Sequence, residues 1–232
     1  MFGRIIMPAS QKESPFWRYD AINKNLLMSS YHLKNENLVH YYNKLVDYKP
    51  QEIFSYPSSI VQLADFIIKE NLKPIKLKLL MTTAEHLHDH QREKLTRAFD
   101  APIVNQYGCT EMAFFASTLP SGDFCLHPEH GIAEVRDSSG TLQSSGEGEL
   151  VVTGLVNFSM PVIRYVIGDN VELGAYNSNG FMRLLDVQGR KDDVIYMRDG
   201  TPVGRLDPIF KGGTGIKAAQ IYQTESGDIL LR

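Results

Sequence analysis

The sequence predicts an α/β fold: a layered α/β unit, then a β-rich subdomain, then a boundary before a last segment. Three observations predict it. From Asn37 to Gln106, helix-period segments alternate with short apolar runs of strand length, the pattern of a layered unit with parallel pairing. After Gly131, short alternating segments separated by turn clusters replace that pattern. Gly189 to Asp193 is then charged, glycine-led and without an apolar residue, which places a hinge or boundary near Arg190.

Residues 1–33 carry Pro8, Pro15 and the aromatic cluster Phe16, Trp17 and Tyr19, and no long periodic element fits them, so the opening reads like the middle of a protein. Leu38, Tyr41, Tyr42, Leu45 and Val46 recur at helical spacing and predict a helix over 37–48. Ser58 or Ser59 caps a second helix bearing Ile60, Leu63, Ala64 and Ile67. Leu77 to Met81 is a strand, Asp89 caps a third helix through Phe99, and Pro102 to Gln106 is another strand. The β-rich part has strands at 132–135, 149–153, 170–173 and 181–185, with turns at Ser138-Ser139-Gly140 and Asn177-Ser178-Asn179-Gly180. A further strand follows at Val194 to Met197, before a turn at Asp199-Gly200.

With 232 residues, 43% of them hydrophobic, the chain is long enough for a sizeable core. Its 24 basic against 27 acidic residues give a net charge of −3, which argues against nucleic acid as a partner. No window approaches the roughly 18 uninterrupted apolar residues of a membrane span, and Met1 to Ser10 lacks a signal-type apolar core. Two cysteines and 8 methionines agree with a reducing, cytoplasmic setting.

Nucleotide P-loop, zinc-protease, nucleophile-elbow and C-x-x-C signatures are absent, and the glycines of Lys211 to Gly215 have the wrong spacing for a phosphate loop. His86, His88 and His90 read as the solvated start of a helix. Cys109, Cys125, His127 and His130 have ligand types that suit tetrahedral zinc, against a plain reading of buried cysteine and surface histidine. The string Asn105 to Glu111 follows a strand, where open α/β sheets bind ligands. There Tyr107 has a face to stack on a base, Gly108 admits a close backbone approach, Thr110 has a hydroxyl for phosphate and Glu111 a hard oxygen for Mg²⁺, against a plain strand-ending turn whose Tyr and Thr merely pack. Asp169, at the end of Ser159 to Asp169, sits either in a plain surface turn with Gly168 or where its two oxygens accept from the vicinal hydroxyls of a ribose.

Taken in order, five strings resemble the adenylate-forming enzymes, most closely the phenylacetate-CoA ligase-like branch with its CapK-type capsular-polysaccharide relatives. They are Tyr56-Pro57-Ser58-Ser59, Thr82-Thr83-Ala84-Glu85, Asn105 to Glu111 (family pattern Y-G-x-T-E), Met160 to Asp169 (MPxIRYxxGD) and Gly189 to Asp193 (GRxDD). The resemblance implies an ATP-dependent ligase that turns a carboxylic acid into an acyl-adenylate and passes the acyl group to a nucleophile, usually the thiol of CoA. It implies that 1–187 is the C-terminal portion of a large AMP-binding domain, an α/β unit and then a β-rich, distorted barrel-like subdomain, and that 188–232 is the hinge and the start of a small C-terminal α+β domain. By the same resemblance Thr83, Ala84, Glu85, Asn105, Gln106, Tyr107 and Gly108 line the adenine, Thr110 touches phosphate, Glu111 binds Mg²⁺, and Asp169 holds the ribose. Arg190 reaches ribose or phosphate, and Asp192 is the pivot of the small domain. Thr110, Glu111 and Arg190 are the catalytic set, and a homodimer is a conceivable assembly. The family's Ser/Thr/Gly-rich phosphate loop and its C-terminal lysine have no counterpart here, so the chain is expected to be an interior fragment, impaired or inactive alone. The competing expectation is an inactive AMP-binding or structural module that keeps the fold.

Overall fold

The structure is a computed structural model that describes residues 2–3, 6–8, 10–190, 195–196, 202–203, 220–224 and 226–231. The chain divides into two compact units, Met1–Gly108 with Ser117–Asp123, and Cys109–Ala116 with Phe124–Arg232.

In the first unit a hairpin of β1 (Trp17–Asp20) and β2 (Asn25–Ser29) precedes α1 (Leu38–Tyr48), β3 (Glu52–Ser55), α2 (Pro57–Lys69), β4 (Leu79–Thr83), α3 (Asp89–Ala98) and β5 (Ile103–Gly108). β4 lies between β3 and β5, with parallel pairing on both sides and with Ile53 opposite Leu80 and Thr83 opposite Gln106. The helical spacing explains the packing: Leu38, Tyr41 and Leu45 of α1 and Ile60, Leu63 and Ile67 of α2 are buried in one cluster with Ile53, Leu80, Leu95 and Phe99. Each buried Leu or Ile removes apolar surface worth about 1.5–3 kcal/mol. At the end of α1, Lys49 is left-handed (φ 52°) and its N–H donates to the Leu45 carbonyl at 2.9 Å.

The α/β expectation holds in kind, and the ends of elements differ. α2 opens with Pro57 at its first turn and takes no cap from Ser58 or Ser59. The N-cap of α3 is His88 rather than Asp89, with Gln91 Oε1 accepting from the His88 N–H at 3.0 Å. The strand expected at 77–81 runs over Leu79–Thr83, and residues 17–29, expected to be irregular, hold the β1–β2 hairpin.

The second unit is an antiparallel sheet of β6 (Phe124–Leu126), β7 (Gly131–Arg136), β8 (Gly146–Gly154), β9 (Tyr165–Tyr176) and β10 (Met182–Arg190), in the order β7-β8-β9-β10-β6. Period-2 alternation buries Ala133 and Val135 of β7, Val171 and Leu173 of β9, and Leu184 of β10. Asn177 Oδ1 accepts from the N–H groups of Asn179 and Phe181, both at 3.0 Å, and so builds the β9–β10 turn. Between the pairs Val151–Val166 and Glu149–Asn170, the single residue Leu150 faces three residues, Ile167, Gly168 and Asp169. Gly168 supplies the left-handed φ of 88° that this bulge needs.

Candidate functional site

The predicted residues fall into two sets, one in each unit. In the first, Thr83 ends β4 opposite Gln106, and the Thr82 hydroxyl donates to Asn105 Oδ1 at 2.9 Å. Gln106 Nε2 reaches the Met81 sulfur at 3.8 Å, and the Asn105 N–H donates to Thr118 Oγ1 at 3.2 Å. Tyr107 and Gly108 complete β5. Directly after β4 the chain reverses through Ala84, whose left-handed φ of 65° is unusual for a residue with a side chain. That reversal turns Glu85 toward the start of α2, where Oε2 accepts the Ser58 N–H at 2.8 Å. The other oxygen, Oε1, is buried and has no hydrogen-bond partner. A buried acceptor without a donor costs about 1–3 kcal/mol, so it asks for an explanation.

In the second unit, Cys109, Thr110, Glu111 and Met112 form a turn closed by the Met112 N–H donating to the Cys109 carbonyl at 3.1 Å, with Met112 left-handed at φ 57°. The Thr110 side chain is exposed and that of Glu111 half-buried. The Tyr165 hydroxyl donates to Glu111 Oε1 at 3.0 Å, and Asn157 Nδ2 donates to the Glu111 carbonyl at 3.5 Å. Asp169 lies in the β9 bulge and pairs in register with the backbone of Arg190. The Arg190 side chain, Lys191, Asp192 and the segment 211–215 lie outside the described residues, as do both ends of the strand expected at Val194 to Met197, of which Ile195–Tyr196 is a strand. Arg164, inside the MPxIRYxxGD-like string, forks onto Glu134 with Nε and Nη2 both at 3.1 Å.

The zinc set does not assemble. Among the described residues no three His, Cys, Asp or Glu side chains form a metal-holding group. Cys125 is buried in β6, with Asn177 Nδ2 on its sulfur at 3.7 Å, and His127 Nδ1 is 3.4 Å from Glu129. Burial pushes the Cys109 thiol up, and the Glu111 carboxylate, to which it hydrogen-bonds, raises it further against opposing backbone donors at Ala113 and Phe114. A thiol held in its protonated form is a poor metal ligand. His86, His88 and His90 are exposed, their rings in series at 4.5 and 5.5 Å between centroids. Burial and the two flanking imidazoles lower the pKa of His88, with Asp89 opposing. Glu111 alone offers one hard carboxylate, which fits a magnesium ion that completes its shell from water and phosphate oxygens and does not fit an all-protein cage.

Sequence reasoning missed Tyr165 as a partner of Glu111, although it quoted the string that contains it. It also missed Glu85 as the acceptor at the start of α2. The first pair is 54 residues apart and the second 27, and nothing in local spacing signals either.

No protein-family model matches the chain. It is 34% identical over 205 residues to protein CapK of Staphylococcus aureus, covering 85% of this chain and 44% of CapK. It is 27% identical over 161 residues to phenylacetate-coenzyme A ligase of Pseudomonas putida, covering 66% of this chain and 36% of that protein. Among solved structures, 2-hydroxyisobutyryl-CoA ligase in its postadenylation state superposes with a TM-score of 0.62 at 22% identity, over 85% of this chain and 46% of that one. Anthranilate CoA ligase in complex with anthranoyl-AMP superposes with a TM-score of 0.55 at 15% identity, over 89% and 42%. These structural likenesses are likenesses of fold. The chain spans less than half the length of each of these relatives.

Proposed function

Since this chain is a relative of the adenylate-forming enzymes, through CapK and the phenylacetate-coenzyme A ligases, we propose that it carries nucleotide-binding residues of an ATP-dependent ligase that activates a carboxylic acid. In that reaction a carboxylate oxygen attacks the α-phosphorus of ATP, the bond to the bridging oxygen breaks, and pyrophosphate leaves with its electron pair. The acyl group of the resulting adenylate then passes to a nucleophile. Coenzyme A is the acceptor suggested by 2-hydroxyisobutyryl-CoA ligase, which is known with its acyl-AMP and CoA bound.

The observation that carries the reading is Glu85: a buried carboxylate oxygen without a donor, set by a left-handed Ala84 in the string that the resemblance assigns to adenine. The exocyclic amino group of adenine is a donor of the right kind. Thr83, Asn105, Gln106, Tyr107 and Gly108 would line the same base. In the second unit, the exposed Thr110 hydroxyl would donate to phosphate and the two oxygens of Asp169 would accept from ribose. Glu111 would hold magnesium, which supplies charge neutralisation at the phosphate oxygens. Arg190 would add a cation, and Asp192 would serve as pivot between a large domain over 1–187 and a small one over 188–232.

Calorimetric titration with AMP tests the reading. Losing a charge-assisted hydrogen-bond partner costs about 1.5–3 kcal/mol, so Asp169→Ala should weaken AMP binding by roughly 10- to 150-fold. Equal affinities for the wild type and Asp169→Ala would remove the ribose assignment. An absence of AMP binding by the wild type would remove the nucleotide reading of the chain.

A further inference from the structure

We propose that the loop joining β8 to β9 is an interaction surface, and that its partner is polypeptide of the kind that makes up CapK outside the part this chain matches. The segment Thr153 to Ile163 contains no Asp, Glu, Lys or Arg. Along it Phe158 is 85% exposed, Ile163 77%, Met160 50%, and Leu155 and Val156 42% each. The Asn157 amide, on the Glu111 carbonyl at 3.5 Å, ties this loop to the turn that carries Met112, itself 56% exposed. Single apolar residues on a surface are ordinary, whereas a contiguous group of large ones marks an interaction site.

The backbone beneath these side chains is fixed. The Gly154 N–H donates to the Val162 carbonyl at 3.0 Å and closes the loop at its base, while the Leu155 N–H donates to the His130 carbonyl at 3.0 Å. Within the loop, Asn157 Oδ1 accepts from the Met160 N–H at 3.2 Å, and at its end the Arg164 N–H donates to Thr153 Oγ1 at 3.0 Å. A Cβ on Gly154 would lie 3.2 Å from the Ala113 Cα, so the base is packed against a second stretch of backbone. The apolar side chains are thus held outward by a loop that a partner need not order first.

The match covers 85% of this chain and 44% of CapK, so more than half of CapK has no matched counterpart in these residues. Large apolar side chains without charge among them are what a core presents when it is divided between two polypeptides. A lipid surface fits less well, because segments that lie on membranes draw on Lys and Arg for the headgroups. The cation flanking this loop, Arg164, is forked onto Glu134. The inference goes beyond the nucleotide reading and uses none of its residue assignments.

The test coexpresses this chain, carrying a tag, with the part of Staphylococcus aureus CapK that lies outside the match, and measures how much of that part the tag retains. Beside the wild type stand the double variant Phe158→Asp with Ile163→Asp, the milder Phe158→Ala, and Ile22→Asp, a control at a residue 92% exposed in the other unit. Expected is retention of the CapK part by the wild type and by Ile22→Asp. The double variant should retain at least about 30-fold less, the loss typical of a central apolar anchor. Phe158→Ala should fall between them with wild-type circular dichroism. No retention by the wild type overturns the proposal, as does equal retention by the wild type and Phe158→Ala. Self-association of the wild type that the double variant abolishes, without retention of the CapK part, would make the loop an interface between copies of this chain. Binding to phosphatidylcholine vesicles, lost in the double variant and again without retention, would make it a lipid-facing surface; either result overturns the proposal.

Discussion

At the scale of the single residue, Tyr41 is the largest of the fully buried side chains among the described residues and carries a polar contact in the first unit's core. It is 0% exposed, stacks on Phe16 at 6.0 Å between centroids, and its hydroxyl donates to the Ser29 carbonyl at 2.6 Å. Burial pushes its phenol well above the usual tyrosine range. In the unfolded chain the same phenol ionises near pH 10. The folded state therefore favours the protonated form, and the stability this confers is complete below about pH 10 and is lost as the pH rises beyond it. Removing the hydroxyl removes a hydrogen bond worth about 1 kcal/mol. Tyr41→Phe should be about 1 kcal/mol less stable than wild type in urea at pH 7, and the gap should shrink above pH 10; a gap that stays constant to pH 11 would contradict this account of the buried phenol.

At the scale of the element, α2 begins without a cap from its own sequence, and the carboxylate of Glu85 takes that place across 27 residues. An acceptor at this position is worth about 1 kcal/mol. Glu85→Ala should lower stability by that amount and speed amide exchange in the first turn of α2, whereas unchanged exchange at Ser58 would show that the carboxylate does not support the helix. The three helices were legible because their apolar spacing is local: Leu38, Tyr41 and Leu45 are both the signal in the sequence and the buried face in the structure. The β1–β2 hairpin was not, since Trp17–Asp20 and Asn25–Ser29 are too short to establish a period and take their meaning from the burial of Leu26 and Met28. β9 was visible only as 170–173, because Gly168-Asp169 has turn chemistry and the strand absorbs it as a bulge. The site divides in the same way. Its motif strings could be found in the sequence, whereas the pairing of Tyr165 with Glu111 and the partnerless oxygen of Glu85 depend on tertiary placement.

At the scale of the whole molecule, the charge balance of 24 basic to 27 acidic residues bears on what the chain holds by long-range attraction. Non-specific DNA binding draws its affinity from neutralised phosphates, with dissociation constants of about 10⁻⁴–10⁻⁶ M at physiological salt. This chain should leave a 30-base-pair duplex unshifted at protein concentrations up to about 10 μM, a dose chosen within that range. A retarded band there would reveal a basic surface that the net charge conceals. Among the described residues, no helix is long and apolar enough to cross a membrane.

The three residues opposite Leu150 in β9 also fix an arithmetic of parity for everything downstream. Side chains in a strand alternate with a period of two, so shortening it by one residue inverts every later face. Deleting Ile167 alone should turn Val171 and Leu173 out of the interior and yield insoluble or unfolded protein. Deleting Ile167 and Gly168 together keeps the parity and makes the β8–β9 ladder flush, so that variant should fold, with near-native circular dichroism, while Asp169 is drawn into line opposite Leu150 and AMP binding falls with it. The shorter deletion is then the more damaging one, and the longer separates what the strand does for the sheet from what its excess length does for a ligand. If the two-residue deletion is the less soluble of the pair, the bulge residues are holding the sheet together rather than holding a side chain outside its rhythm.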